Sequence, residues 1–270
     1  MKIERVQLIH NFNPKSLEVK KKILNKMNKF GIKEDKFNPQ LIIAIGGDGT
    51  FLKALNKTNY KSNLLYIGIN TGHLGFLQEI NEFELDELFK RITNGNYTVE
   101  TLPIQDILIT SGRNRILYKS LNEIIIREQT LRAVELTVSL GGNYLQEFKG
   151  DGLMISTSTG STAHNMSYGG SIMFPNMEAL QLLPLAPLPK SKHFATINNS
   201  IIIPKGISIK IEPNNYFKNN LLISIDGESY PFNFKIHKID IKLSNNSIKI
   251  LKIKDIPFVD KLNEKYIKLY

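Results

Sequence analysis

The sequence contains no cysteine, which excludes disulfides, thiolate metal sites and cysteine nucleophiles while leaving every redox compartment open. It has no apolar run of membrane length, and its charged start, Met1-Lys2-Ile3-Glu4-Arg5, lacks the apolar core of a signal peptide. The expected location is the cytoplasm, with no membrane partner. There is no G-x-x-x-x-G-K-[ST] and no G-x-G-x-x-G, so neither a P-loop nor an ordinary Rossmann fingerprint applies. No basic block is present either. The formal charge of +10 is spread along a chain also rich in Asn and Ile, and the longest run, Lys20-Lys21-Lys22, falls on a predicted amphipathic helix as its solvated face. No nucleic-acid partner is expected, although an anionic substrate would suit the positive field. Internal repeats and low-complexity linkers are likewise missing. What remains is ordinary: 270 residues, 41% hydrophobic and 22% charged, enough for two modest cores.

The stretch with the strongest signal is Leu41-Ile42-Ile43-Ala44-Ile45 running into Gly46-Gly47-Asp48-Gly49-Thr50. The apolar run predicts a buried strand ending at a sharp turn, and Phe51, Leu52 and Leu55 predict a helix behind it. Open α/β sheets bind ligands at such a place. Glycines let the backbone approach an anion, and the N–H groups of a helix start favour phosphate oxygens. Asp48 is out of keeping with a simple phosphate cradle unless it holds a metal ion or orients a hydroxyl about to attack phosphorus. The chemistry suggested is phosphoryl transfer; the plain alternative is a strand-turn-helix corner with Asp48 as N-cap.

Around this stretch, Val6, Leu8 and Ile9 predict a first strand, and Asn13-Pro14 starts a helix with an apolar stripe of Leu17, Ile23, Leu24, Met27 and Phe30, closed by Gly31. Residues 64–69 predict a third strand, followed by a second glycine-bearing loop, residues 70–77. Asn81 is the expected cap of a helix whose apolar residues are Phe83, Leu85, Leu88, Phe89 and Ile92, closed by Gly95. Residues 1–98 thus read as an α/β domain.

From about Tyr97 the period changes to two. Val134-Leu136-Val138-Leu140, Leu221-Ile223-Ile225, Phe232-Phe234-Ile236 and Ile239-Ile241-Leu243 alternate, and Gly141-Gly142-Asn143 predicts a hairpin turn. Residues 99–254 read as a β-rich domain, and the amphipathic tail, 255–270, is expected to return to the first. Two polar clusters lie in this half. Asn122-Glu123, beside Ile124-Ile125-Ile126, offers an amide and a carboxylate at a strand edge, or simply a solvated strand end. Asp151-Gly152 leads through a short strand into Thr157-Ser158-Thr159-Gly160-Ser161-Thr162-Ala163-His164-Asn165 and a predicted helix. Its hydroxyls and backbone donors suit a polyhydroxylated anionic ligand. No histidine or acid is spaced to make these serines nucleophiles, so a hydrolase triad is rejected.

Taken together, Gly46 to Thr50, loop 70–77, Asn122-Glu123, Asp151-Gly152, Thr157 to Asn165 and Asp226-Gly227 resemble, in order and spacing, the motifs of the NAD kinase family. The Gly-Gly-Asp-Gly-Thr loop is shared with lipid kinases and phosphofructokinases; Thr-Gly-Ser-Thr-Ala after Asp-Gly is far more specific. The resemblance implies a fold of class α/β plus all-β, an N-terminal Rossmann-like α/β domain and a C-terminal β-sandwich-like domain. It implies Mg²⁺-dependent phosphoryl transfer from ATP or polyphosphate to the adenosine ribose 2′-hydroxyl of NAD, giving NADP, in a homodimer or homotetramer whose neighbouring subunit completes each site. By that resemblance Asp48 contacts the ribose hydroxyl, Gly47 and Gly49 border phosphates, and Phe76 packs near the adenine. Asn122, Glu123, Asp151, Thr159, Thr162, Ala163 and His164 line the rest of the dinucleotide site, with Asp226 near the reacting ribose. Because phosphoryl transfer depends on positioning and charge neutralisation, Asp48 is expected to be chiefly an orienting acceptor that takes the proton late.

Two residues depart from the family pattern. His164 stands where tyrosine is usual, and Leu188 where histidine is frequent, the latter within residues 184–193, where the resemblance is poorest. Imidazole titrates at about 6.5 when unperturbed, so KM for NAD is expected to vary between about pH 5.5 and 7.5, with His164→Tyr flattening it. The rival expectations are a lipid or other small-molecule kinase sharing the glycine loop, against which the chain lacks Gly-Thr-x-Asn-Asp, and an inactive NAD(P)-binding sensor.

Overall fold

A computed structural model describes residues 2–72, 75–130, 132–188, 197–215, 217, 220–230, 232 and 234–267. His73 and Leu74 of the second glycine loop, residues 189–196 of the poorly matching region and residues 268–270 of the tail lie outside the described residues. The chain divides into two compact units, one of residues 1–102 and 247–270, the other of residues 103–246.

The first unit runs β1 (Arg5–His10), α1 (Pro14–Phe30), β2 (Lys33–Glu34), β3 (Leu41–Ile45), α2 (Asp48–Lys57), β4 (Leu65–Asn70), β5 (Gln78–Asn81) and α3 (Leu85–Asn94). Its strands pair in parallel in the order β2, β1, β3, β4, β5. All five residues of β3 are buried, as a central parallel strand demands. Asn13 caps α1 by accepting from the Ser16 N–H at 2.7 Å, Pro14 fills the first helical position, and Gly31 ends the helix at φ +69°. The buried line of α1 is Val19, Ile23 and Met27, spaced four apart. Leu17 sits off that line and is exposed, contrary to expectation. Asn81 caps not the long helix but a one-turn 3₁₀ segment, Glu82–Glu84, and shares a capping box with Glu84 before α3 begins. That turn leaves Phe83 87% exposed, while Leu85, Leu88, Phe89 and Ile92 are buried as expected.

The second half of the chain supplies β6 (Thr98–Ser111), β7 (Asn114–Ser120), β8 (Glu123–Glu128), β9 (Val134–Leu140), β10 (Asn143–Thr157), α4 (His164–Ser167), β11 (Ala179–Pro187), β12 (Ile201–Pro204), β13 (Ile209–Pro213), β14 (Leu221–Ile225), β15 (Glu228–Tyr230), β16 (Lys238–Lys252) and α5 (Phe258–Leu262). In the second unit β15, β14, β8, β10, β9 and β13 are antiparallel neighbours in that order, with β11 and β12 continuing from β10. Gly141 and Gly142, at φ +56° and +86°, make the two-residue turn between β9 and β10, a geometry that β-carbon-bearing residues resist. One apolar core gathers the inward residues of these strands, among them Ile124, Ile126, Leu136, Val138, Ile155 and Ile223. The alternating Phe232-Phe234-Ile236 is no strand. Phe232 and Ile236 are buried, and Phe232 meets Phe234 and Tyr118 at centroid distances of 5.2 and 6.2 Å, so the alternation reports an aromatic cluster. The expected helix after Thr162 is a single turn, α4.

β16 pairs β13 through Ile239 and Ile241, and in the first unit its last part pairs β4 in parallel through Lys249 and Ile250. The first unit therefore takes up the chain at Ser247, earlier than the expected 254/255. Among the described residues no helix is long and apolar enough to cross a membrane.

Candidate functional site

In the first unit the turn after β3 is built by glycine. Gly46 has φ +152°, and a Cβ there would stand 2.3 Å from Thr50 Oγ1. Gly47 is the N-cap of α2 in extended conformation. Around Gly47 and Gly49 a Cβ would meet nothing within 4 Å, so both present bare backbone to open space at a helix start. Asp48 is the first helical residue and makes no cap, which overturns the N-cap alternative. Its carboxylate reaches the second glycine loop, where Oδ2 accepts from the Phe76 N–H at 3.1 Å and Oδ1 from the Leu77 N–H at 3.0 Å. Neighbouring Gly75 is pressed against that carboxylate: a Cβ there would lie 2.3 Å from Asp48 Oδ1 and 1.8 Å from Gln78 Oε1.

The tail of the chain contributes to the same corner. Lys265 Nζ is 3.8 Å from Asp48 Oδ2 and 4.4 Å from the centroid of the Phe76 ring, and Tyr266 and Phe258 flank that ring at 5.8 and 6.2 Å. Beside it lies a cavity of about 220 Å³, lined in part by Gly75, Gln78, Glu79 and Lys261. Glu79 is buried, pairs with Lys252 at 2.5 Å and accepts the N–H groups of Ile253 and Lys254. Burial and the Lys252 ammonium push the Lys261 pKa down to about 8. Sequence reasoning singled out none of Gln78, Glu79, Lys261 and Lys265. Only the first two carry a signal, their place directly behind the second glycine loop.

The second unit holds the other predicted residues. Asn122 and Glu123 are 8% and 3% exposed, so the solvated strand end is excluded. Asp226, at φ +49° in the turn between β14 and β15, accepts from Ser120 Oγ at 2.7 Å and from the N–H groups of Leu121, Asn122 and Glu123 at 2.8, 2.7 and 3.2 Å. It builds the corner that presents Asn122 and Glu123. Across that corner Gly160 packs so tightly that a Cβ would lie 2.2 Å from the Asn122 carbonyl oxygen.

The hydroxyl-rich run is less available than its composition implies. The Thr157 hydroxyl is bonded to the Leu121 carbonyl, Ser158 to the Pro175 carbonyl and Ser161 to the Met173 carbonyl. Thr162 Oγ1 donates to the Thr159 carbonyl at 3.3 Å, and the Ala163 N–H to the Gly160 carbonyl at 2.9 Å. Thr159 Oγ1 and Glu123 Oε2 are different: among the described residues both are buried without a hydrogen-bond partner, a costly state.

His164 Nδ1 lies 3.2 Å from Glu123 Oε1. That hydrogen bond raises the pKa of His164, against a smaller opposing effect of burial, and burial raises that of Glu123. Asp151 does not join this group. It is exposed on β10 beside Gly152, which pairs with Arg127, whereas Glu123 pairs with Ser156; five residues of strand separate them by about 15 Å. Leu188 is also apart, 42% exposed, its N–H donating to the Lys149 carbonyl.

A divalent cation held by the protein alone would need several converging acidic or imidazole ligands. Among the described residues no three such side chains converge.

Comparison with known proteins places these features. Residues 3–97 match the ATP-NAD kinase N-terminal domain and residues 121–253 the ATP-NAD kinase C-terminal domain. The NAD kinase of Staphylococcus saprophyticus is 30% identical over 266 residues, 97% of either chain, and that of Staphylococcus aureus 29% identical over the same length. A crystal structure of yeast NADH kinase complexed with NADH superposes with a TM-score of 0.85 at 17% identity, covering 100% of this chain and 90% of that one. An NAD kinase from Archaeoglobus fulgidus in complex with ATP does so with a TM-score of 0.75 at 22% identity, covering 97% and 98%. At such identities the structures attest the fold: an α/β unit and a strand-rich one.

Proposed function

Because the chain belongs to the NAD kinase family, we propose that it transfers the terminal phosphoryl group of ATP or polyphosphate to the adenosine ribose 2′-hydroxyl of NAD, giving NADP. The observation that carries this reading is Asp48 itself, a carboxylate at the start of α2 fixed by two N–H groups of the second glycine loop. So held, it can accept a hydrogen bond from a hydroxyl and aim its oxygen at phosphorus. In a loose transition state such aiming matters more than proton abstraction.

Gly47 and Gly49 leave backbone bare for phosphates beside it, and Phe76 supplies an aromatic face. In the second unit we assign Asn122, Glu123, Thr159, Thr162, Ala163 and His164 to the nucleotide; support comes from the orphaned Glu123 Oε2 and Thr159 Oγ1, which ligand hydroxyls would satisfy. Asp226 acts by holding that corner. Asp151, exposed and far along the β8–β10 ladder, is assigned to the same ligand through a second copy of the chain, in the homodimer or homotetramer we propose.

The solved relatives were complexed with NADH and with ATP, and both ligand classes carry over here as substrates. We take the divalent ion to be Mg²⁺ arriving on the donor as part of that substrate, since Mg²⁺ binds largely through phosphates and water; no step is routed through it. The cytoplasm, where ATP and NAD are at hand, is the proposed location.

A lipid kinase sharing only the glycine loop is disfavoured, since both parts of the chain match the NAD kinase family. The test is a detergent-free assay with Mg²⁺ and ATP or polyphosphate, offering NAD or diacylglycerol as acceptor. NADP, detected by an NADP-specific dehydrogenase, is expected from NAD alone. Phosphorylated lipid, or tight NAD binding without product, would overturn the reading.

A further inference from the structure

Gln78, at the start of β5, sits in an unusual environment. It is 6% exposed, and among the described residues neither its amide nitrogen nor its amide oxygen has a hydrogen-bond partner. Two buried orphans on one side chain are costly. The side chain folds back over Gly75, where Gln78 Oε1 and Asp48 Oδ1 lie 1.8 and 2.3 Å from the same point, the one a Cβ on Gly75 would occupy. The end of the amide therefore lies within about 4 Å of the carboxylate oxygen, the sum of those two distances at most. Turned with oxygen inward, it sets two acceptors face to face; turned by a half-rotation of the amide, which costs nothing in shape, it sets a donor against a carboxylate.

We propose that Gln78 is a positioning residue for the phosphoryl-transfer reaction, its Nε2–H donating to Asp48 Oδ1. With Phe76 and Leu77 it would be the third donor on that carboxylate, reinforcing the orientation that the two backbone bonds set. After that rotation the amide oxygen, in the place of the nitrogen, is the one atom of the side chain still without a partner among the described residues. Gly75 is what makes the contact possible, since a side chain there would separate the two groups. The role rests on the NAD kinase reading above, whereas the hydrogen bond itself does not.

Two measurements test it. In the first, the Gln78 side-chain amide protons are assigned by NMR in the unliganded protein and in Asp48→Asn. A downfield Nε2 proton in the native protein that moves back in the variant is expected; a Gln78 amide unaffected by Asp48→Asn overturns the proposal, whether or not the protein turns over NAD. In the second, Gln78→Met and Gln78→Glu are compared with the native enzyme, thermal melting serving as the control for folding. Positioning predicts that Gln78→Met lowers kcat about tenfold with KM for NAD little changed. Gln78→Glu, alike in shape but repelling Asp48, should lower kcat further. Equal kcat in native and both variants, or a loss confined to KM, contradicts the assignment. Absence of NADP formation by the native protein would instead count against the kinase reading, leaving the NMR result to decide on the contact.

Discussion

His164 Nδ1 and Glu123 Oε1 stand 3.2 Å apart, joining a largely exposed imidazole to a buried carboxylate. Because hydrogen bonding to Glu123 raises the His164 pKa, the imidazolium persists above the ordinary value of about 6.5. A cation there favours an anionic dinucleotide. KM for NAD is therefore expected to rise as pH rises through a midpoint above 6.5, later than the sequence alone suggests. Steady-state kinetics from pH 5.5 to 8.5 should show His164→Tyr flattening the profile and Glu123→Gln moving the midpoint down. The stability contribution has the same sign: full below about 6.5 and lost as pH rises through the raised value, though small, because His164 is exposed. A profile identical in all three proteins would remove the pair from the account.

Asp226 should matter to the fold as much as to the site. Asp226→Ala strips the acceptor from Ser120 Oγ and from three backbone N–H groups, and charge-assisted bonds of this kind are worth about 1.5–3 kcal/mol each. We expect a loss of about 3 kcal/mol or more in urea unfolding, with some donors recovering water. Asp226→Asn should fall between, since it tolerates the positive φ but brings an NH₂ among donors. A change under 1 kcal/mol for Asp226→Ala would mean that the corner is held by other contacts.

Gly75→Ala separates position from stability. Its methyl would intrude on the ends of two side chains rather than on backbone, and side-chain ends can yield. Stability should fall by about 1.5–3 kcal/mol, the worth of one charge-assisted bond on Asp48, while kcat falls by tenfold or more as Asp48 is displaced. A variant that melts normally and retains full kcat would show that the orientation of Asp48 is loosely required.

How far the sequence anticipated these features depends on the range of the interaction. The β3 strand, the Asn13 cap, the Gly31 and Gly95 stops and the Gly141-Gly142 turn follow from local rules of period and φ, and the structure has them all. Phe83 and the Phe232-Phe234-Ile236 run misled because apolarity fixes neither direction nor ladder pairing: a capping turn throws one outward, and an aromatic cluster takes in the other. The hydroxyl run from Thr157 to Thr162 looked open to a ligand, but whether a hydroxyl is spent internally depends on carbonyls at Leu121, Pro175 and Met173 that only the fold brings near. Gln78 and Lys265 were illegible for the same reason. Their meaning lies in a carboxylate thirty and more than two hundred positions away.

The most direct measurement is NADP formation by the purified protein with NAD, Mg²⁺ and either ATP or polyphosphate, run beside Asp48→Asn. The account predicts turnover with at least one donor, which names the donor, and a loss of several orders of magnitude in the variant. A protein that binds NAD yet turns over with neither donor, or an Asp48→Asn variant that keeps native turnover, would contradict it.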